Sequence, residues 1–173
     1  MTDAVLTASV HSPLGDVALL VHDDVLVAAG FGRAEEQHAR LRTPPPLRRV
    51  NDLGPFTGAV TAYFAGDLHA MDDLAVQQPG GPFRQAAWKL MREVPPGTTI
   101  TYAELAARAG SPLAARAAGS ACAQNLIAPI VPCHRIIRGG GTLGGYAYGL
   151  SRKDWLLAHE RGETPPAVTG QSS

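Results

Sequence analysis

The sequence predicts an α+β protein in two parts, a small antiparallel-sheet domain followed by a mainly helical one. Three observations carry this expectation. Strand-forming runs separated by turn signals fill positions 4–31, whereas apolar residues recur at helical spacing from residue 56 onward. A Pro/Gly cluster, Gln78-Pro79-Gly80-Gly81-Pro82, interrupts the chain. The charge changes sign at that cluster: residues 1–81 hold five basic and ten acidic groups, residues 82–162 ten basic and four acidic. The expected division is therefore 1–79, 80–162 and a disordered tail, 163–173.

The elements follow in order. Residues 4–10, 16–21 and 25–31 read as strands of a meander, joined by the Ser12-Pro13-Leu14-Gly15 and Asp23-Asp24 turns. A short helix over 34–42 must end before Pro44-Pro45-Pro46. Phe56, Val60, Tyr63 and Phe64 form a helical stripe that Gly66 ends. Beyond the linker, Phe83, Ala87, Leu90, Met91 and Val94 share one helix face, stopped by Pro95-Pro96-Gly97. Thr101-Tyr102-Ala103-Glu104 is a capping-box sequence, predicting a helix over 101–110. Ser111-Pro112 predicts an N-cap and first-turn proline for a helix running to about Cys122. Two short helices around a tight glycine turn make a helix-turn-helix pattern. Its second member is almost all alanine, with Arg116 as its one long side chain. Arg138-Gly139-Gly140-Gly141-Thr142 suits a hairpin, and the glycine-rich 143–149 stretch lacks the lysine of a nucleotide loop. Ser151-Arg152-Lys153-Asp154 caps a last helix to Arg161.

Bulk composition narrows the function. With 45% hydrophobic and 17% charged residues, the chain can build a core. No apolar run approaches the ~20 residues of a membrane span, and the N-terminus lacks a secretory signal, so a cytoplasmic protein without membrane contact is expected. Two cysteines in a reducing interior would be free thiols, and no Cys/His spacing calls for a metal. The basic second half suggests an anionic partner.

Ile130-Val131-Pro132-Cys133-His134-Arg135-Ile136-Ile137 sets a thiol beside an imidazole. Its apolar flanks read as a buried strand pair. Successive strand residues face opposite ways, so Cys133 and His134 cooperate only where the chain bends, and Pro132 favours that bend. His134 could then act as a base through a bridging water, with Glu160 of the last helix to orient it. Cys122 reads as a small buried filler.

Pro132-Cys133-His134-Arg135 resembles the reactive motif of the O6-alkylguanine-DNA alkyltransferases, or methylated-DNA–protein-cysteine methyltransferases. The second half is similar to that family in many further landmarks: Phe83-Arg84-Gln85-Ala86-Ala87-Trp88, Pro95 to Tyr102, Ala115-Arg116-Ala117, Asn125, Gly144-Gly145-Tyr146 and Ser151-Arg152-Lys153. Tyr63-Phe64-Ala65-Gly66 resembles its N-terminal landmark. The resemblance implies a ribonuclease H-like first domain and a winged helix-turn-helix-like second. It implies irreversible transfer of an alkyl group from O6-alkylguanine in double-stranded DNA, and by extension O4-alkylthymine, to Cys133. No cofactor is implied, and the protein would be a monomer, with cooperativity on DNA left open.

The resemblance also implies roles. His134 would deprotonate Cys133 through a water and Glu160 would hold the imidazole. Tyr102 would donate a hydrogen bond to the leaving guanine and help rotate the nucleotide out. Arg116 would fill the gap left by the extruded base, and Ala114, Ala115, Ala117 and Gly119 would face the DNA. Asn125 would brace the turn beneath Cys133, while Ile136, Tyr146, Ala147 and Tyr148 would wall the base pocket. The chain departs from the family pattern at Leu126, where proline is common, at Pro96, where an aromatic is frequent, and at Tyr148, often glycine. Two rival readings are a non-catalytic sensor of alkylated DNA, against which Cys133 speaks, and a recycling cysteine hydrolase.

Overall fold

The computed structural model describes residues 3–168. These fall into two compact units. Among the described residues, one runs to Gln78 and also takes in Leu126–Ile130; the other comprises Pro79–Asn125 and residues 131–168. Of the expected tail, residues 164–168 carry no helix or strand, and 169–173 lie outside the described residues.

In the first unit, β1 (Val5–Ser12), β2 (Gly15–His22) and β3 (Val25–Phe31) form the expected antiparallel meander. Asp23 and Asp24 both take positive φ, 51° and 64°, the conformation a two-residue hairpin turn demands. A fourth strand, β4 (Leu47–Arg49), pairs parallel to β1, so the sheet is mixed, in the order β3-β2-β1-β4. It follows the three prolines and is only three residues long, too short to show an alternating pattern. Helix α1 (Ala34–His38) stops four residues short of the expected 42, and α2 spans Pro55–Phe64. Val5, Ala18, Leu20, Ala28 and Ala34 make one core cluster between the sheet and α1. The stretch Leu126–Ile130 joins this unit beside β3: Ala29 N–H donates to Leu126 O at 2.8 Å, and Ala128 N–H to Ala29 O at 3.2 Å. Leu126 has the amide proton that a proline lacks, and donates it to Gln78 Oε1 at 2.8 Å.

The second unit contains α3 (Pro82–Glu93), β5 (Ile100–Thr101), α4 (Tyr102–Arg108), α5 (Ala115–Ala123), β6 (Ile136–Ile137) and α6 (Leu150–Glu160). Helix α3 buries Ala87, Trp88 and Met91, and the Trp88 indole N–H reaches Ala121 O at 2.9 Å, docking α3 on α5. The Thr101–Glu104 capping box is present, with Glu104 N–H donating to Thr101 Oγ1 at 3.0 Å. Three local expectations need correction. Ser111 does not cap α5: Ser111 O accepts Ala114 N–H at 2.9 Å, so Pro112 and Leu113 form the tip of a tight turn and the helix starts at Ala115. Ile130-Val131 is not a strand; only Ile136-Ile137 is, paired parallel with β5. Helix α6 begins at Leu150 after Gly149, so Ser151 lies inside it. The expected turn over Arg138–Thr142 is closed by Arg138 N–H donating to Thr142 O at 3.0 Å, with Gly140 at φ 84°.

Candidate active site

Pro132 builds the bend that the sequence requires. With φ −85° and ψ 67° it centres an inverse γ-turn, closed by Cys133 N–H donating to Val131 O at 2.9 Å. The same carbonyl accepts Asn125 Nδ2 at 2.8 Å, so the buried Asn125 side chain fixes the turn from beneath. Cys133–Arg135 then make one 3₁₀ turn and pass directly into β6. All three residues of that turn are buried.

His134 is fully buried, and its Nε2 lies 2.7 Å from Glu160 Oε2. A carboxylate only accepts, so Nε2 carries the proton and Nδ1 keeps its lone pair. That Nδ1 is buried and has no hydrogen-bond partner among the described residues. Burial pushes the imidazole below its ordinary pKa, against the pull of Glu160, and keeps it neutral. Burial alone would raise the Glu160 carboxyl, but the His134 and Arg135 hydrogen bonds hold it far below the usual carboxylate range. Arg135 is the residue whose part the sequence did not reveal. It meets both Glu160 oxygens, Nε to Oε1 at 2.8 Å and Nη2 to Oε2 at 3.0 Å, and ties Val94 O at 2.7 Å.

These groups set a pH dependence. The unfolded chain protonates His134 near its ordinary value of 6.5, where the buried native imidazole stays neutral. Stability is therefore present above about pH 6.5 and falls as pH drops through it, because the unfolded state then binds more protons. Glu160, depressed in the native state, adds a second loss below its ordinary 4.5. Urea midpoints should hold between about pH 8 and pH 7 and decline from about pH 6.5 to pH 5; a rise over the lower range would contradict the burial of neutral His134.

A cavity of about 290 Å³ adjoins Cys133. Its walls are Tyr102, then Gly119, Cys122 and Ala123 of α5, and Gly145, Tyr146 and Ala147. The expected pocket residues Tyr146 and Ala147 are there. Ile136 is not: it is fully buried in β6, with the core behind the turn. Tyr148 is not a lining residue either; its ring packs edge-on to Tyr146, centroids 5.8 Å apart. Cys122, expected as filler, lines the cavity, and burial raises its thiol well above the ordinary range, which keeps it protonated. The fully buried Lys153 fastens this wall. Its Nζ donates to Ile136 O at 2.7 Å and Gly145 O at 3.0 Å.

Gly144 lies against Tyr102. At φ +73°, a Cβ there would stand 2.8 Å from the Tyr102 hydroxyl oxygen. Gly144→Ala is expected to cost about 1–3 kcal/mol and to displace the tyrosine, read by thermal denaturation and by the Tyr102 fluorescence environment. Burial raises the Tyr102 hydroxyl above its ordinary pKa, so it stays a donor at neutral pH. Arg116 stands exposed in the first turn of α5, between exposed Ala115 and Ala117, while Ala114 and Gly119 are half-buried.

Comparison with known proteins identifies relatives of the chain. The family model described as the 6-O-methylguanine DNA methyltransferase DNA-binding domain matches residues 82–162. The methylated-DNA–protein-cysteine methyltransferase of Salmonella typhimurium is 46% identical over 107 residues, covering 62% of this chain and 63% of the relative. The protein of the same name from Mycobacterium tuberculosis is 38% identical over 164 residues, covering 93% and 95%. The crystal structure of Mycobacterium tuberculosis OGT in complex with DNA superposes with a TM-score of 0.80 at 35% identity, covering 95% of this chain and 98% of that one. The buried Cys-His-Glu constellation thus sits in a fold and sequence shared along nearly its whole length, and the chain belongs to the methylated-DNA–protein-cysteine methyltransferase family.

Proposed function

We propose that the protein repairs DNA by taking the alkyl group from O6 of an alkylated guanine in a duplex onto Cys133, once per molecule. The observation that carries this reading is the fixed neutral imidazole: His134 Nε2–H is committed to Glu160, leaving Nδ1 to accept the thiol proton through a water. The thiolate sulfur then attacks the alkyl carbon, a C–S bond forms, and the C–O6 bond breaks. The electron pair departs with the guanine, to which Tyr102 donates a hydrogen bond, and the proton that His134 took from the thiol passes through water to the base, returning the imidazole to its neutral form. Atoms and charge balance without a cofactor. The thioether has no route back to a thiol, so the protein is consumed.

The geometry of attack supports base flipping. Displacement needs the sulfur in line with the C–O6 bond, which stacking prevents, and Cys133 is buried beside a cavity rather than presented on a surface. Unstacking costs a few kcal/mol, which the pocket and an inserted Arg116 offset. The relative solved in complex with DNA supports a duplex as the partner. O4-alkylthymine presents the same O-alkyl chemistry and is a second candidate substrate.

The test is incubation with duplex DNA bearing O6-methylguanine, followed by mass analysis of the Cys133 peptide. One methyl per protein on that peptide is expected; no gain sinks the reading. Arg116→Ala should slow transfer from duplex about tenfold and reduce the salt dependence of binding by about one charge, with transfer from the free base unchanged.

A further inference from the structure

Leu113 is fully solvent-exposed, and with the half-exposed Leu150 it makes up the exposed large hydrophobics among the described residues. A singly exposed leucine is ordinary. Its setting is not. It occupies the tip of the turn closed by Ala114 N–H and Ser111 O at 2.9 Å, where Pro112 stiffens the preceding position. It also directly precedes Ala114, the N-cap of α5. An apolar side chain there normally folds back on the fourth helical residue as a staple. That residue, Ala118, is itself fully buried, yet Leu113 stays wholly in water, so no staple forms. Around it Pro112, Ala115 and Ala117 are exposed as well, and Arg116 is the single charge from Ser111 to Ala123. The tip is thus a rigid apolar projection beside one cation.

We propose that Leu113 is a second wedge on the DNA, entering a base step next to the nucleotide whose place Arg116 takes. The proposal rests on the duplex-repair reading above. A polyanion gives an apolar tip nothing at its phosphates, but a base step does: exposed leucines enter such steps, unstack them and kink the duplex. Arg116 supplies charge and fills the vacated position, and Leu113 lowers the cost of opening the stack without adding charge.

The experiment uses the full chain, a duplex with 2-aminopurine beside O6-methylguanine, and free O6-methylguanine base as the small substrate. Leu113→Ser should slow transfer from the duplex about tenfold and abolish the 2-aminopurine fluorescence rise on binding. Transfer from the free base and the salt dependence of binding should stay as in wild type, and Leu113→Met should restore both duplex signals. Wild-type rate and fluorescence in Leu113→Ser overturn the wedge, as does a change confined to the protein's self-association. Wild-type protein that takes no methyl group from either substrate overturns the repair reading instead.

Discussion

Serine in place of Cys133 is expected to abolish alkyl transfer, by about a thousandfold or more, while the protein stays folded. The two side chains differ little in size, and the Cys133 position is almost wholly buried. The loss is chemical. A thiol supplies a few per cent of thiolate at neutral pH even unassisted, whereas a hydroxyl supplies essentially no alkoxide. A neutral His134 acting through water cannot close that gap. Cys122 lines the same cavity, but its buried thiol is held protonated, so it should not take over. Mass analysis of both cysteine peptides decides the matter: a methyl group on Cys122 in Cys133→Ser would move the acceptor. Retained transfer in Cys122→Ala is the matching expectation.

Glu160→Gln is expected to cost about 3–5 kcal/mol of stability, lowering the melting temperature by about 10 °C or more. Glu160 accepts hydrogen bonds from His134 and from the Nε and Nη2 of Arg135, in a place without water access. An amide has one accepting end. Its NH₂ must face either the imidazole N–H or the guanidinium, and the buried Arg135 charge is left unmatched in both cases. Transfer should also slow by about a hundredfold at temperatures where the variant is folded, because nothing then fixes the proton on Nε2. Thermal denaturation and single-turnover rates separate the two effects; a variant as stable as wild type would mean that Arg135 carries no buried charge needing Glu160.

Much of this was legible in the residues. The bounds of β3 and the Thr101 cap follow from local signals, a two-residue Asp turn and a capping box, which depend little on tertiary context. The contact between His134 and Glu160 was expected from a resemblance and from the chemistry of a thiol needing a base. What escaped depends on partners distant in sequence. β4 exists because β1 offers it an edge, and Leu47–Arg49 carry no pattern of their own. Ser111-Pro112 has the chemistry of a helix start, but the turn formed around Pro112 delays the helix to Ala115. Ile130-Val131 looks like a strand because it is apolar, yet it is buried outside any strand. Lys153 and Arg135 are charged residues that the sequence would leave on the surface; their burial is explained only by carbonyls and a carboxylate found on other elements.

The return of Leu126–Ile130 to the first unit has a bearing on engineering. The family's DNA-binding segment, 82–162, is a contiguous stretch of sequence but not a self-contained module. Within the five residues between α5 and the Cys133 turn, the backbone of Leu126 and Ala128 bonds to Ala29 of β3, and Leu126 also to the Gln78 side chain. A chimera that swaps everything before residue 79 for a foreign N-terminus would leave that loop without these hydrogen bonds, a few residues upstream of Cys133. The same thread favours split-protein complementation: a chain cut after Gln78 would yield two pieces, one holding a strand edge and the other the segment that completes it.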